Sequence, residues 1–153
     1  MPQSHNKVIL NMVFSTKDRR PLIDTEIRPR LHAYMAEILR GIEPPQSQAY
    51  RVGGPADHVH VAAALPRTVT IAKLFETVKR ESSIWIKKQG ARYQEFYWQN
   101  GYGVFSVGPS QLDQLIGYID NQEEHHKTVS FQDEFRKLLV KYNIEYDEKY
   151  VWD

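Results

Sequence analysis

Two short apolar segments, 49–53 and 58–65, are joined by little more than Gly53-Gly54-Pro55, and each is flanked on its outer side by a segment of helical period. Strands joined by so short a turn pair antiparallel. That hairpin sits in the middle of a longer pattern. Residues 7–15 alternate Val8, Leu10, Met12 and Phe14 with Ile9, Asn11, Val13 and Ser15, the period of a strand. Ile27, Leu31, Tyr34, Met35, Ile38 and Leu39 then predict a helix over 24–40. Asp24 or Thr25 would cap it, Pro29 lies near its start, and Gly41 with Pro44-Pro45 would stop it. After the hairpin, Thr68 or Thr70 caps a second helix with the stripe Ile71, Leu74, Phe75, Val78 and Trp85, and residues 102–107 suit a strand. The order β-α-β-β-α-β predicts an α+β fold: a ferredoxin-like or RRM-like split βαββαβ, with an antiparallel sheet and its helices on one face. Two C-terminal helices follow, one from Ser110 to about residue 126 and one from Ser130 to about residue 143. Residues 90–101 fit either a loop or a strand.

At 153 residues the chain is expected to form one domain, 1–153, with the tyrosine-bearing helix near 110–126 and a helix and tail over 130–153. The chain has no cysteine, which excludes disulfides, thiolate metal sites and a cysteine nucleophile. No apolar run approaches the roughly twenty residues that span a bilayer, and no signal-peptide pattern opens the chain, so a cytoplasmic location without a membrane partner is expected. Net charge is +1, so bulk charge does not announce nucleic acid. Its distribution does more: Lys17, Arg19 and Arg20 cluster early, and Lys73, Arg80 and Lys87 recur every seven residues on the second helix. Such a stripe is either a solvated face or a track for phosphates.

His58-Val59-His60 opens the central strand after Asp57. Residues two apart in a strand share a face, so both imidazoles stand on one side while Val59 packs on the other. A polar pair on a buried face is costly without partners. On its own the pair stays open between a metal or phosphate site and two hydrogen-bonded histidines. A third histidine two residues on would suggest a histidine-triad hydrolase, but Ala62 stands there, and a zinc protease's H-E-x-x-H is also missing. On the helix near 110–126, Leu112, Leu115, Ile116 and Ile119 form the apolar stripe. Tyr118 lies off that stripe with Gln122 one turn beyond it. It could equally pack against a neighbour.

Arg19-Arg20-Pro21, Asp57-His58-Val59-His60, Gly101-Tyr102, Phe105-Ser106-Val107 and Tyr118-Ile119-x-Asn121-Gln122 occur in this order over nearly the whole chain. In this the chain resembles the small single-tyrosine HUH (His-hydrophobic-His) transposases of the IS200-like family, which move single-stranded insertion sequences, and their REP-associated relatives. The resemblance implies that Tyr118 is the nucleophile and that His58, His60 and Gln122 hold a divalent metal, Mg2+ or Mn2+. It implies cleavage and rejoining of single-stranded, hairpin-bearing DNA through a 5′-phosphotyrosine, and a homodimer in which the tyrosine helix completes the partner's site in trans. No nucleotide cofactor is expected, since no phosphate-binding loop is present. Lys17, Arg19, Arg20, Lys73, Arg80 and Lys87 are candidate DNA contacts. Tyr93, Phe96, Tyr97, Trp98 and Tyr102 are either stacking surfaces for bases or core. Two alternatives remain: a non-catalytic or domesticated nucleic-acid-binding module of the same fold, and a replication-initiator nickase, which would usually carry further domains.

Overall fold

A computed structural model of the chain describes residues 2–44 and 46–153; Met1 and Pro45, the latter part of the expected helix stop, lie outside the described residues. Strands β1 (Ile9–Ser15), β2 (Gln48–Gly53), β3 (His58–Ala64) and β4 (Gly103–Val107) form one sheet in the order β2-β3-β1-β4, and every neighbouring pair is antiparallel. Helices α1 (Arg28–Ile42) and α2 (Ile71–Lys87) make the two crossovers, so the expected split βαββαβ is the observed fold. Three further helices follow: α3 (Leu112–Asp120), α4 (Gln122–His125) and α5 (Phe131–Lys141).

All seven residues of β1 are buried, although their alternation suggested a strand with two unlike faces. Both faces are covered. Leu10, Met12 and Phe14 join Val59, Val61 and Ala63 in a core closed by Leu31 and Met35 of α1 and Leu74, Phe75 and Val78 of α2. On the other face, Val13 and Phe105 pack against Phe131, Phe135 and Leu139 of α5, and Ala62 packs against Leu115 and Ile119 of α3. The C-terminal helices therefore form a second layer over the sheet, opposite α1 and α2.

Local chemistry explains most element ends. The Asp24 carboxylate accepts the amide protons of Glu26 and Ile27, forming a turn that feeds α1 at Arg28 rather than opening the helix at residue 24. Gly41 does not end α1, which continues to Ile42. Thr70 and Ser130 cap α2 and α5 by accepting from Lys73 and Asp133. Ser110 is not a cap; it lies in a short 3-10 turn, 109–111, and the expected single helix is broken between α3 and α4 at Asn121. In the uncertain stretch 90–101, Tyr93, Phe96 and Trp98 are buried, and the Trp98 indole donates to Ser82 Oγ at 3.0 Å.

Two glycines seat the second helical layer. A Cβ on Gly53 would lie 2.6 Å from Ile119 Cγ2, and one on Gly103 would lie 2.5 Å from the Phe135 ring. Any larger residue at the end of β2 or the start of β4 would push α3 or α5 off the sheet. Those two helices carry the groups described next.

Candidate active site

The β3 register places Ser15 opposite His58 and Val13 opposite His60, so both histidines sit centrally beneath α3 and α5. Both are fully buried, and their rings meet edge to face at 5.4 Å. Each is oriented from behind. His58 Nδ1 donates to Asp57 Oδ1 at 2.7 Å, and His60 Nδ1 lies 3.4 Å from Asn11 Oδ1 on β1. Nε2 of both rings is thereby turned toward the space between the sheet and the helices. The Phe131 ring covers His58 at 4.5 Å between centroids.

Tyr118 and Gln122, one turn apart in sequence, both reach this space despite the break at Asn121. Gln122 Oε1 lies 3.1 Å from His58 Nε2. The Tyr118 ring stands edge-on to His60, with centroids 5.5 Å apart. His58, His60, Gln122 and Tyr118, expected to act together, are thus gathered in one place. They come from a single chain, whereas the resemblance implies completion by a partner's tyrosine helix.

Glu134 of α5 was not anticipated, and it lies at the centre. Its side chain is only 3% exposed. Oε1 lies 2.9 Å from His60 Nε2, 3.4 Å from His58 Nε2 and 3.2 Å from His126 Nε2. Oε2 accepts from the Tyr118 hydroxyl and from Gln122 Nε2 (3.1 Å), and lies 3.3 Å from His125 Nε2. A sequence signal for it existed. Glu134 falls between Phe131 and Leu138 on the apolar stripe of α5, and an acid at a core position needs partners. His125 and His126 carried no such signal, because they follow the helix break.

Burial opposes charge on Glu134, but the surrounding histidines outweigh it and hold the carboxyl well below its usual range. Burial likewise works against a charged His58, yet Asp57 and Glu134 raise its pKa; His60, more deeply desolvated, is lowered. Burial and the neighbouring Glu134 carboxylate push the Tyr118 phenol upward. Tyr118 therefore rests as a protonated donor.

The site opens into a cleft of about 410 Å³ between α3 and α5, lined among others by Tyr118, Glu134, Gln114, Lys137 and Lys141. The basic turn after β1 lies at the His58 end of the sheet, where the Thr16 amide donates to the Asp57 carbonyl at 2.9 Å. Within that turn Arg19 rests over the Trp152 ring at 5.6 Å and Arg20 lies 3.6 Å from Glu95, while Lys17 opens the turn. The α2 stripe is not brought to the site, because α2 covers the opposite face of the sheet. Lys73 and Arg80 both pair with Glu76, and Lys87 stands over the Tyr97 ring at 4.1 Å. Of the aromatic candidates, Tyr93, Phe96 and Trp98 are core. Tyr97 and Tyr102 are exposed, and Tyr102 stacks on Phe75.

Residues 4–122 match the model of the family described as "Transposase IS200 like". The chain belongs to the IS200-like transposase family. That membership places it among DNA-cleaving enzymes, and the matched segment ends at Gln122, before Glu134. The transposase is similar in fold to a candidate transposase from Deinococcus radiodurans R1, at 20% identity and a TM-score of 0.55, covering 80% of this chain and 98% of that one. It is also similar to a REP-associated tyrosine transposase solved bound to a REP hairpin, at 14% identity and a TM-score of 0.59, covering 84% and 74% of the two chains. No curated protein matches it. Among the described residues no helix is long and apolar enough to cross a membrane.

The donor set suits a divalent cation. The donor atoms of His58, His60 and Glu134 lie within 4.8 Å of one another, as do those of His125, His126 and Glu134; Gln122 Oε1 is 3.1 Å from His58 Nε2, and His126 Nε2 is buried with no hydrogen-bond partner among the described residues.

Proposed function

We propose that this transposase cleaves and rejoins single-stranded DNA through a covalent link to Tyr118. The observation that carries this reading is the convergence of the Tyr118 hydroxyl with His58, His60 and Gln122 around one buried carboxylate. The Tyr118 oxygen would attack the phosphorus while the bond from phosphorus to the 3′ oxygen breaks. The products are a 5′-phosphotyrosine and a free 3′-OH. The phenolic proton must leave as the new bond forms, matched by the proton that the departing 3′ oxygen takes up, and Glu134 Oε2 orients the attacking oxygen by accepting the Tyr118 hydroxyl in a hydrogen bond. Attack of another 3′-OH on the phosphotyrosine reverses the step and joins two strands. Bond energy is conserved in the ester, so no nucleotide is consumed.

His58, His60 and Gln122 would hold Mg2+ or Mn2+, which would draw charge from a non-bridging phosphate oxygen. Lys137 and Lys141, one turn apart on α5 along the cleft, supply positive charge for a backbone approaching Tyr118. Lys17, Arg19 and Arg20, at the His58 end of the sheet, are a second set of candidate phosphate contacts, whereas Lys73, Arg80 and Lys87 face away from the site. Hairpin-bearing ends are the proposed substrate, supported by the likeness to the hairpin-bound transposase. A homodimer suits the joining of two ends, but the groups of this site meet within one chain.

The test is incubation with single-stranded hairpin DNA and Mn2+ or Mg2+, followed by denaturing electrophoresis. A covalent protein–DNA band that vanishes in Tyr118→Phe is expected, and cleavage retained by that variant would sink the assignment. Mixing Tyr118→Phe with His58→Ala protein separates the two assemblies. Cis assembly predicts no rescue, and restored cleavage would establish exchange of the tyrosine helix.

A further inference from the structure

Three histidine rings, not two, turn Nε2 toward the same atom. His58, His60 and His126 lie 3.4, 2.9 and 3.2 Å from Glu134 Oε1. Behind each ring, Nδ1 faces an oxygen: Asp57 Oδ1 at 2.7 Å, Asn11 Oδ1 at 3.4 Å and the Val129 carbonyl at 2.5 Å. This is how metal-binding histidines are held, with the back nitrogen fixed as a donor so that the front nitrogen presents its lone pair. For His126, Nδ1 faces the Val129 carbonyl, which leaves Nε2 directed at Glu134 Oε1. Its Nε2 is buried, lies 3.2 Å from a carboxylate oxygen and has no hydrogen-bond partner among the described residues. A cation between these nitrogens and the carboxylate oxygen would give each of them a partner. Gln122 Oε1 adds a further acceptor beside His58 Nε2. The Phe131 ring against His58 keeps one side of the cluster apolar, which strengthens any charge interaction within it.

We propose that His126 and Glu134 are ligands of the same cation site as His58 and His60. The site is then rich in imidazole and selects a transition ion such as Mn2+ or Co2+ over Mg2+. Mg2+ prefers oxygen donors and keeps its waters, whereas imidazole favours first-row transition ions, with Co2+ bound more tightly than Mn2+. This rests on the proposed metal-dependent reading of the site, but extends it to residues beyond the segment that matches the family. It also gives α5 a role in the chemistry: Glu134 faces the cation through Oε1 and Tyr118 through Oε2, so one carboxylate would link metal ligation to the position of the nucleophile.

The experiment is calorimetric titration of the whole chain with MnCl2, CoCl2 and MgCl2 in the absence of DNA, together with pulsed electron paramagnetic resonance of bound Mn2+. Three coordinated imidazoles are expected in the resonance spectrum, with affinity falling from Co2+ to Mn2+ to Mg2+. His126→Ala and the near-isosteric Glu134→Gln should each weaken Mn2+ binding at least about tenfold. Circular dichroism of the metal-free variants tests folding, and the imidazole count on the unaltered chain needs no variant. Two imidazoles, with Mn2+ affinity unchanged in His126→Ala but lost in His58→Ala, would overturn the inference and leave the proposed function standing. Three imidazoles without a covalent DNA adduct would uphold the inference and sink that function. Absence of Mn2+ binding would overturn the inference and the metal-dependent reading together.

Discussion

On the face of the sheet covered by α1 and α2, strand β3 presents Val59, Val61 and Ala63; on the face covered by α3 and α5 the same strand presents His58, His60 and Ala62. Both faces are buried equally well. The first gains stability from apolar burial alone. The second holds a glutamate, a glutamine, an asparagine and histidines away from water, which is tolerable only because nearly every polar atom there faces another. One face makes the fold, and the other spends part of that stability on a preorganised polar cluster.

The sharpest way to separate the two faces is to remove one group from each. Tyr118→Phe, on the polar face, should lower adduct formation by at least about 10⁴-fold in a gel assay, with unfolding hardly changed. Phe14→Ala, on the apolar face, should do the reverse. Phe14 is fully buried and packs edge-on against Phe75 and Trp98, so the cavity should cost about 3–5 kcal/mol in a denaturant melt. Adduct formation by the fraction that stays folded should persist.

A smaller effect compares two histidines in unlike surroundings. His58 has carboxylates on both sides, whereas His32 of α1 has a buried Nε2 without a hydrogen-bond partner among the described residues. Burial and the nearby Arg28 lower the His32 pKa to about 4. The unfolded chain takes up this proton near pH 6.5 and the folded chain does not until about pH 4. Stability should therefore fall as pH drops through that window and level off below it, by at most about 3.4 kcal/mol. His32→Gln should flatten that part of a melting-temperature profile; an unchanged slope would place its origin elsewhere.

The smallest expected change concerns surface charge. Lys73→Ala and Arg80→Ala lie on α2, away from the site, and should shift hairpin-DNA affinity less than about twofold and stability by under about 0.5 kcal/mol. Lys137→Ala with Lys141→Ala, in the cleft, should weaken binding several-fold and reduce its dependence on salt in a filter or anisotropy assay. Equal effects from both pairs would mean that DNA runs over both faces.

Much of this was readable from local pattern. The two-residue period put His58 and His60 on one side of a strand, and one helical turn put Tyr118 near Gln122. Thr70 and Ser130 were recognisable caps because capping depends on three or four neighbouring residues. The break at Asn121 was not readable, since Leu115 and Ile119 continue a helical stripe up to it. Nor was the burial of Tyr93, Phe96 and Trp98, because an irregular segment has no period to assign a face.

By itself, then, the sequence determined the βαββαβ order, the strand carrying the histidine pair and the helix carrying Tyr118, all consequences of spacing over a few residues. Only the tertiary structure decided that α5 returns across the sheet with Glu134 between His60 and Tyr118, that His126 joins them, and that the α2 lysine and arginine stripe faces away. Those outcomes depend on which face a late helix covers. That choice comes from the fit of Phe131, Phe135 and Leu139 against Val13 and Phe105, and from the room left at Gly53 and Gly103, which link residues far apart in the chain.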